Sequence, residues 1–287
     1  MANLQDYDVS ERFGAKLLKS TPITPSQAEE EVRDLTLQIE NGKKEFKAGQ
    51  SVAVIVPGPH EFGNEDHFRF YTIASKPRKA GKDKQEINIC VKRCYYIDDY
   101  SGEKYNGVAS NYLCDLEPGS EITMAGPYGL PFELPDDENS DILMIGLGTG
   151  IAPFRAFVRQ IYDEHKGWKG KVRLFYGART GLEMLYMNDE QDDFTNYYDQ
   201  ETFKAFKAVS PRPHWDDPVA LDYALEERAE EVWNMVLDPK THVYVAGLDP
   251  IRKILDDAFS KMAGSKEKWT RRKAELVAGK RWTELIY

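Results

Sequence analysis

Cysteine is scarce in this chain: Cys90, Cys94 and Cys114 are the only three in 287 residues. They form no C-x-x-C pair, and three thiolates cannot complete a four-thiolate iron–sulfur cluster. Unpaired thiols suit a reducing compartment. No apolar run reaches the ~18 residues of a membrane span, and the N-terminus, MANLQDYDVSER, lacks the basic-then-apolar layout of a secretory signal. The sequence reads as a soluble cytoplasmic protein. Positive charge is also short. A net charge of −10 argues against non-specific nucleic-acid binding. There is no internal repeat, no low-complexity tract and no metal-ligand set.

What is present is a globular composition. Hydrophobic residues make up 41% and aromatics 12%, and the length suits about two domains. Basic residues collect locally in two places. One is Lys76, Arg78, Lys79, Lys82 and Lys84; the other is Lys266, Lys268, Arg271, Arg272 and Lys273. Each is an ordinary solvated face or a steering surface for an acidic partner.

The first half reads as short strands separated by turns, the pattern of an antiparallel barrel or sandwich. LTLQI (35–39) alternates, with Leu35, Leu37 and Ile39 on one face. SVAVIVPG, RFYTIASKP and EINICVKRCYY are further strands, with a polar loop, GPHEFGNEDHF, at 58–68. VASNYLCDLEPG (108–119) reads as a short helix ended by Pro118–Gly119 and capped by Ser110. The strand and turn SEITMAGPYG follow. The acidic LPDDENSD (134–141) marks a boundary, giving domains over 1–138 and 139–287.

The second half alternates strands and helices, which implies a parallel sheet covered on both faces. Expected strands are ILMI (142–145), VRLFYGA (172–178), FKAFKAVS (203–210), HVYVAG (242–247) and the terminal KRWTELIY. Expected helices are a short one near EMLYMNDE, a long amphipathic one over 220–237 and another over 249–262. After Ile145 the chain breaks at Gly146, Gly148 and Gly150. A helix then carries Phe154, Phe157, Val158 and Ile161 on one face. Strand, glycine turn and helix start together present backbone N–H groups to a phosphate.

The motifs RFYTIAS, ICVKR, GVASNYL, GPYG, LGTGIAPFR and VYVAGL occur in this order. Together they resemble the plant-type ferredoxin–NADP reductase family, from about Ala15 to Tyr287. The resemblance implies an antiparallel β-barrel binding FAD, followed by a doubly wound parallel-sheet domain binding NADP(H). It implies an enzyme that exchanges hydride between NADPH and FAD, and single electrons with ferredoxin, flavodoxin or another iron–sulfur carrier.

Site residues follow from the matched positions. Arg69 would contact the flavin pyrophosphate, since a guanidinium offers planar bidentate contact. Phe70 and Tyr71 would contact the flavin, with Tyr71 lying on the isoalloxazine ring. Thr72 would offer a hydroxyl near the reactive nitrogen. Cys90, Val91 and Lys92 would make backbone contacts, and Tyr96 would pack beside adenine. Val108, Ala109 and Ser110 would receive the pyrophosphate at a helix start. In the second domain, Thr149, Ala178, Arg179, Gly247 and Leu248 match nucleotide contacts. Ser210, Arg212 and Tyr223 match the set that selects NADPH, with Pro211 as an insertion and Leu221 where the family has lysine. Tyr287 matches the terminal aromatic that acts as a gate.

Two positions depart from the family. Ala246 stands for its cysteine, and Leu285 for its glutamate, with Glu284 one place earlier as the candidate substitute. A one-place shift on a strand turns a side chain to the other face. Two alternatives stay open: a reductase component of a multicomponent oxygenase using NADH, and a flavin-binding assembly subunit without turnover.

Overall fold

The computed structural model describes residues 7–40, 44–60, 65–81, 83–129, 132–164, 167–215 and 217–287. Residues 61–64 of the expected polar loop fall outside this set. Contacts divide the chain into two compact units, Met1–Pro131 and Phe132–Tyr287. Phe132 opens the second unit because its ring packs there, 5.9 Å from both Phe154 and Phe157 and 5.5 Å from Tyr244.

The first unit runs β1 (Arg12–Pro22), β2 (Val32–Ile39), β3 (Ser51–Pro57), β4 (Asp66–Thr72), β5 (Arg78–Lys79), β6 (Gln85–Lys92), β7 (Tyr95–Ile97), β8 (Lys104–Asn106), α1 (Val108–Asp115) and β9 (Glu121–Tyr128). Seven strands form one antiparallel sheet in the order β4-β3-β9-β1-β2-β6-β5, while β7 and β8 form a separate hairpin. The alternation at 35–39 buries Leu35, Leu37 and Ile39 with Leu17, Val54, Ile87, Ile89 and Met124. A bridge between Ile73 and Ile89 joins the end of β4 to β6, and Ala74 N–H donates to Asn88 O at 2.7 Å. The sheet thus rolls towards closure, the barrel solution to exposed strand edges.

The second unit runs β10 (Asp141–Leu147), α2 (Ile151–Arg159), β11 (Val172–Ala178), β12 (Phe203–Val209), α3 (Leu221–Glu226), α4 (Ala229–Leu237), β13 (Thr241–Gly247), α5 (Pro250–Ala263), α6 (Lys266–Ala278) and β14 (Trp282–Ile286). All pairs are parallel, in the order β12-β11-β10-β13-β14. Alternate side chains feed opposite faces. Leu143, Ile145, Phe175, Val243, Val245 and Trp282 pack with residues of α3 to α6. Tyr244 turns the other way, to Phe132 and to Phe157 of α2. This is a doubly wound sheet.

Three local expectations need correcting. The helix over 220–237 is two helices, because Arg228 leaves helical geometry (φ −116°, ψ 25°) with its guanidinium 5.0 Å over the Phe206 ring. The helix near EMLYMNDE is one 3-10 turn, Gly181–Glu183. Beyond it Tyr186 sits in the left-handed region (φ 58°), under the Arg155 guanidinium at 4.5 Å. The second basic cluster lies on a helix, α6, that strand-and-helix patterning did not predict. Ser265 caps α6 by accepting from Lys268 N–H at 3.2 Å, and Trp269 and Leu276 are its buried residues.

Two features fix the ends of the strands. A Cβ on Gly150 would stand 2.1 Å from Ala246 O and 2.8 Å from Gly247 N, so the glycine turn after β10 packs backbone to backbone on the end of β13. The terminal strand is held through Glu284. Arg252 donates to it at 3.0 Å, Trp282 Nε1 at 2.7 Å, and Lys273 Nζ lies 3.4 Å away. Arg252 also reaches Asp249 at 2.6 Å. Burial alone would push the Glu284 carboxyl up, but the indole N–H and the two cations together hold it below its ordinary value.

Gly150→Ala should lower unfolding free energy by about 3 kcal/mol or more, because the neighbours it would meet are backbone atoms of Ala246 and Gly247 that cannot rotate away; urea denaturation measures it. Glu284→Gln should cost about 1–3 kcal/mol at pH 7. A depressed folded pKa stabilises above the unfolded value, ~4.3, and that contribution is lost as pH falls through the folded value. The gap between Glu284→Gln and the parent should therefore narrow in urea titrations run below about pH 4.

Candidate functional site

In the first unit, β4 sorts its side chains by parity. Phe68 and Phe70 pack outside with Ile55, Ala125 and Tyr128; Phe70 lies 4.7 Å from Tyr7 and 5.1 Å from Tyr128. Arg69 and Tyr71 take the other face. Arg69 is exposed and donates to Phe68 O at 2.8 Å. Tyr71 packs half-buried against the barrel core, and burial pushes its phenol well up. Thr72 ends the strand opposite Ser51. Cys90 and Val91 are buried on β6, while Lys92 pairs with Glu30. The Cys114 thiol is buried and pushed up to about 11, as suits a packing residue. Tyr96, 52% exposed, stacks at 5.3 Å on its cross-strand partner Tyr105.

Helix α1 starts after Gly107, which places Ser110 inside the first turn instead of at the cap. The Ser110 hydroxyl is buried, accepts from Cys94 N–H at 3.1 Å and donates to Gly107 O at 3.3 Å. Asn111 donates to Cys94 O at 2.9 Å and to Gly107 O at 2.8 Å. Arg93 ties the same corner to Glu31 and Asp115. Val108 is exposed and Ala109 buried. No side chain caps α1 and no acidic residue lies in its first turn. An uncapped helix start, an exposed guanidinium and flat aromatic faces suit a pyrophosphate flanked by planar rings. The residues present therefore fit FAD. The sequence reading missed Arg93, Asn111 and Tyr105; the first two act through side-chain contacts that periodicity does not encode.

In the second unit, three strand ends converge. The Thr149 and Tyr287 hydroxyls are 2.6 Å apart, and Tyr287 N–H donates to Gly247 O at 3.2 Å. Gly247 has φ +149°, and a Cβ there would lie 2.9 Å from Leu147 O. Leu248 beyond it is exposed. This cluster lies at the carboxyl edge where β10 and β13 are neighbours, the point at which strand order reverses and open α/β sheets bind ligands. Ala246 and Leu285 are register partners across β13 and β14. The two departures from the family are thus one apolar pair. Glu284 shares the opposite face with Trp282 and Ile286, among Arg252 and Lys273.

A second group lies after β11 and β12. Ala178 is buried. Arg179 donates to Pro213 O at 2.9 Å and accepts from Ser210 N–H at 3.1 Å. The buried Ser210 hydroxyl donates to Asp217 O at 2.7 Å. Arg212 meets the Asp217 carboxylate at 2.7 and 3.4 Å, with the Trp215 ring 5.7 Å away. Tyr223 on α3 is 64% exposed. Asp217 was missed, although it stands only five residues after Arg212.

Several cations of the two basic clusters have partners within the chain. Arg272 donates to the Val236 and Leu237 carbonyls at the end of α4, Lys273 pairs with Asp256, and Arg271 with Glu275. Arg78 pairs with Glu86 and Lys84 with Glu40; Lys82 lies outside the described residues. Among the described residues no helix is long and apolar enough to cross a membrane.

Comparison with known proteins agrees with this division. An oxidoreductase FAD-binding domain family matches residues 23–132, and an oxidoreductase NAD-binding domain family matches 144–257. A ferredoxin–NADP reductase from Synechocystis sp. is 33% identical over 93% of this chain, which spans 65% of that relative's length. The chloroplastic leaf isozyme 1 of ferredoxin–NADP reductase from Oryza sativa subsp. indica is 33% identical over 98% of this chain and 78% of its own. A ferredoxin–NADP+ reductase structure from Plasmodium falciparum shares the fold, with a TM-score of 0.71 at 21% identity over 98% of both chains. On the strength of near-complete matches carried through both halves, the chain belongs to the ferredoxin–NADP reductase family.

Proposed function

We propose that this chain is an FAD-dependent reductase that exchanges hydride with NADP(H) and single electrons with a ferredoxin or flavodoxin. The observation that carries the reading is the cluster of Thr149, Gly247 and Tyr287 at the reversal point of the parallel sheet. When bound, FAD supplies the chemistry, taking electrons as a pair and passing them on singly.

The chain's own residues bind and orient. Arg69 and the first turn of α1 hold the pyrophosphate, Tyr71 and Tyr96 offer aromatic faces, and Cys90 to Lys92 add backbone contacts. Thr72 offers its hydroxyl to the flavin edge. The backbone at Gly148 to Gly150 and the Thr149 side chain receive the pyridine nucleotide. Gly247, lacking a Cβ, leaves room for a planar ring. Tyr287 covers that position and moves aside, releasing the hydroxyl contact with Thr149. The Ala246–Leu285 pair makes the neighbouring floor apolar, and no protein acid is required to move a hydride. Ser210, Arg212 and Tyr223 support NADPH as the donor. Cys94 and Cys114, neither of them in a disulfide, support a reducing compartment, and we assign the cytoplasm.

Asp217 beside Arg212 favours one further reading, the NADH-linked reductase component of an oxygenase. Purified protein should be yellow, and anaerobic NADPH should bleach its flavin absorbance faster than NADH does. The bleached protein should then reduce ferredoxin. Flavin that stays oxidised with both nucleotides would identify an assembly subunit, and a strong preference for NADH would identify the oxygenase component.

A further inference from the structure

We infer that Asp217 is a specificity-determining residue that weakens the chain's hold on the 2′-phosphate of the nucleotide. The inference rests on the NADP(H) reading above. Both groups matched to that phosphate are engaged by this one residue. Its main-chain carbonyl takes the proton of the buried Ser210 hydroxyl at 2.7 Å. A hydroxyl has one proton to donate, and a phosphate oxygen is an acceptor that needs it. Its carboxylate takes Arg212 Nε at 2.7 Å and a terminal nitrogen at 3.4 Å. Those donors lie along one edge of the guanidinium, so one of its two bidentate edges is already taken by an oxyanion.

An arriving phosphate therefore meets a partly occupied cation with a like charge beside it. The loop is also fixed from its other side. Arg179 donates to Pro213 O and accepts from Ser210 N–H, and the Trp215 ring, 77% exposed, lies 5.7 Å from the Arg212 guanidinium. Arg212 thus meets the phosphate either by leaving Asp217 or with only the edge that Asp217 leaves open. A nucleotide without a 2′-phosphate makes no demand on this pair. Asp217 lowers the preference for NADP(H) over NAD(H) without touching the adenine, the pyrophosphate or the nicotinamide.

Asp217→Asn separates the two contacts. It keeps the main-chain carbonyl that holds Ser210 and nearly the same side-chain shape, and it removes only the charge. The test is calorimetric titration of the FAD-loaded protein with NADP+ and with NAD+. The variants are Asp217→Asn, Arg212→Ala and the two combined. Asp217→Asn should tighten NADP+ by about three- to fivefold, the scale of an exposed ion pair, and leave NAD+ unchanged. In the Arg212→Ala background that gain should shrink to the part that comes from removing the like charge, since no cation remains to be released. Unchanged NADP+ affinity, equal tightening of both nucleotides, or a full gain without Arg212 would overturn the inference while leaving the NADP(H) reading intact. Failure of the parent protein to bind NADP+ would overturn that reading and the inference with it.

Discussion

The second unit depends on a contact between two backbones. Gly150, closing the turn after β10, lies so near Ala246 and Gly247 that a methyl group would overlap a carbonyl oxygen. Strands β10 and β13 are hydrogen-bonded neighbours up to Gly146 and Ala246, and the chain must leave each in a different direction. Only a residue without a Cβ lets the two exits pass so closely. The benefit is that the N–H groups of the glycine turn and the bare surface of Gly247 share one edge. A nucleotide site made of backbone needs that proximity, because backbone cannot reach outward as a side chain can.

Strand β14 extends the same logic to the end of the chain. Its even-numbered residues, Trp282, Glu284 and Ile286, face the helices, while Leu285 and Tyr287 face the other way. Glu284 anchors the helical side through Arg252, Lys273 and the Trp282 indole. Arg252 carries that anchor to Asp249, two residues beyond Gly247. The strand that carries Tyr287 and the turn that follows Gly247 are thereby tied to the same guanidinium. The Tyr287 ring beyond that anchored strand is 44% exposed. Its hydroxyl contact with Thr149 at 2.6 Å then defines one position of that ring.

What was legible in the sequence is what short-range pattern encodes. Alternation at 35–39 located a barrel strand, and the apolar run before Gly146 located β10. The ordered motifs carried the family and with it both domain folds. Boundaries that depend on tertiary contact were not legible. Arg228 breaks a helix to lie on Phe206, and Tyr186 takes a left-handed conformation beneath Arg155. Helix α6 hid behind its charge. Its Ser265 cap and its buried Trp269 and Leu276, seven apart, were present, but a run of lysines and arginines drew the reading towards a surface cluster. Those cations in fact secure the helix, Arg272 by closing the end of α4 and Lys273 by joining Asp256 to Glu284.

The loop after β12 shows how a small sequence change is absorbed. Pro211 stands between Ser210 and Arg212 and fixes φ at a point where the chain turns. The Arg212 guanidinium finds its partners locally in Asp217 and Trp215. The serine also keeps a partner within the loop, the Asp217 carbonyl. The loop therefore satisfies itself before any ligand arrives, and binding there is an exchange of partners instead of a simple gain. On the inference drawn above, that exchange weakens the hold on a ligand carrying a 2′-phosphate and leaves one without it unaffected.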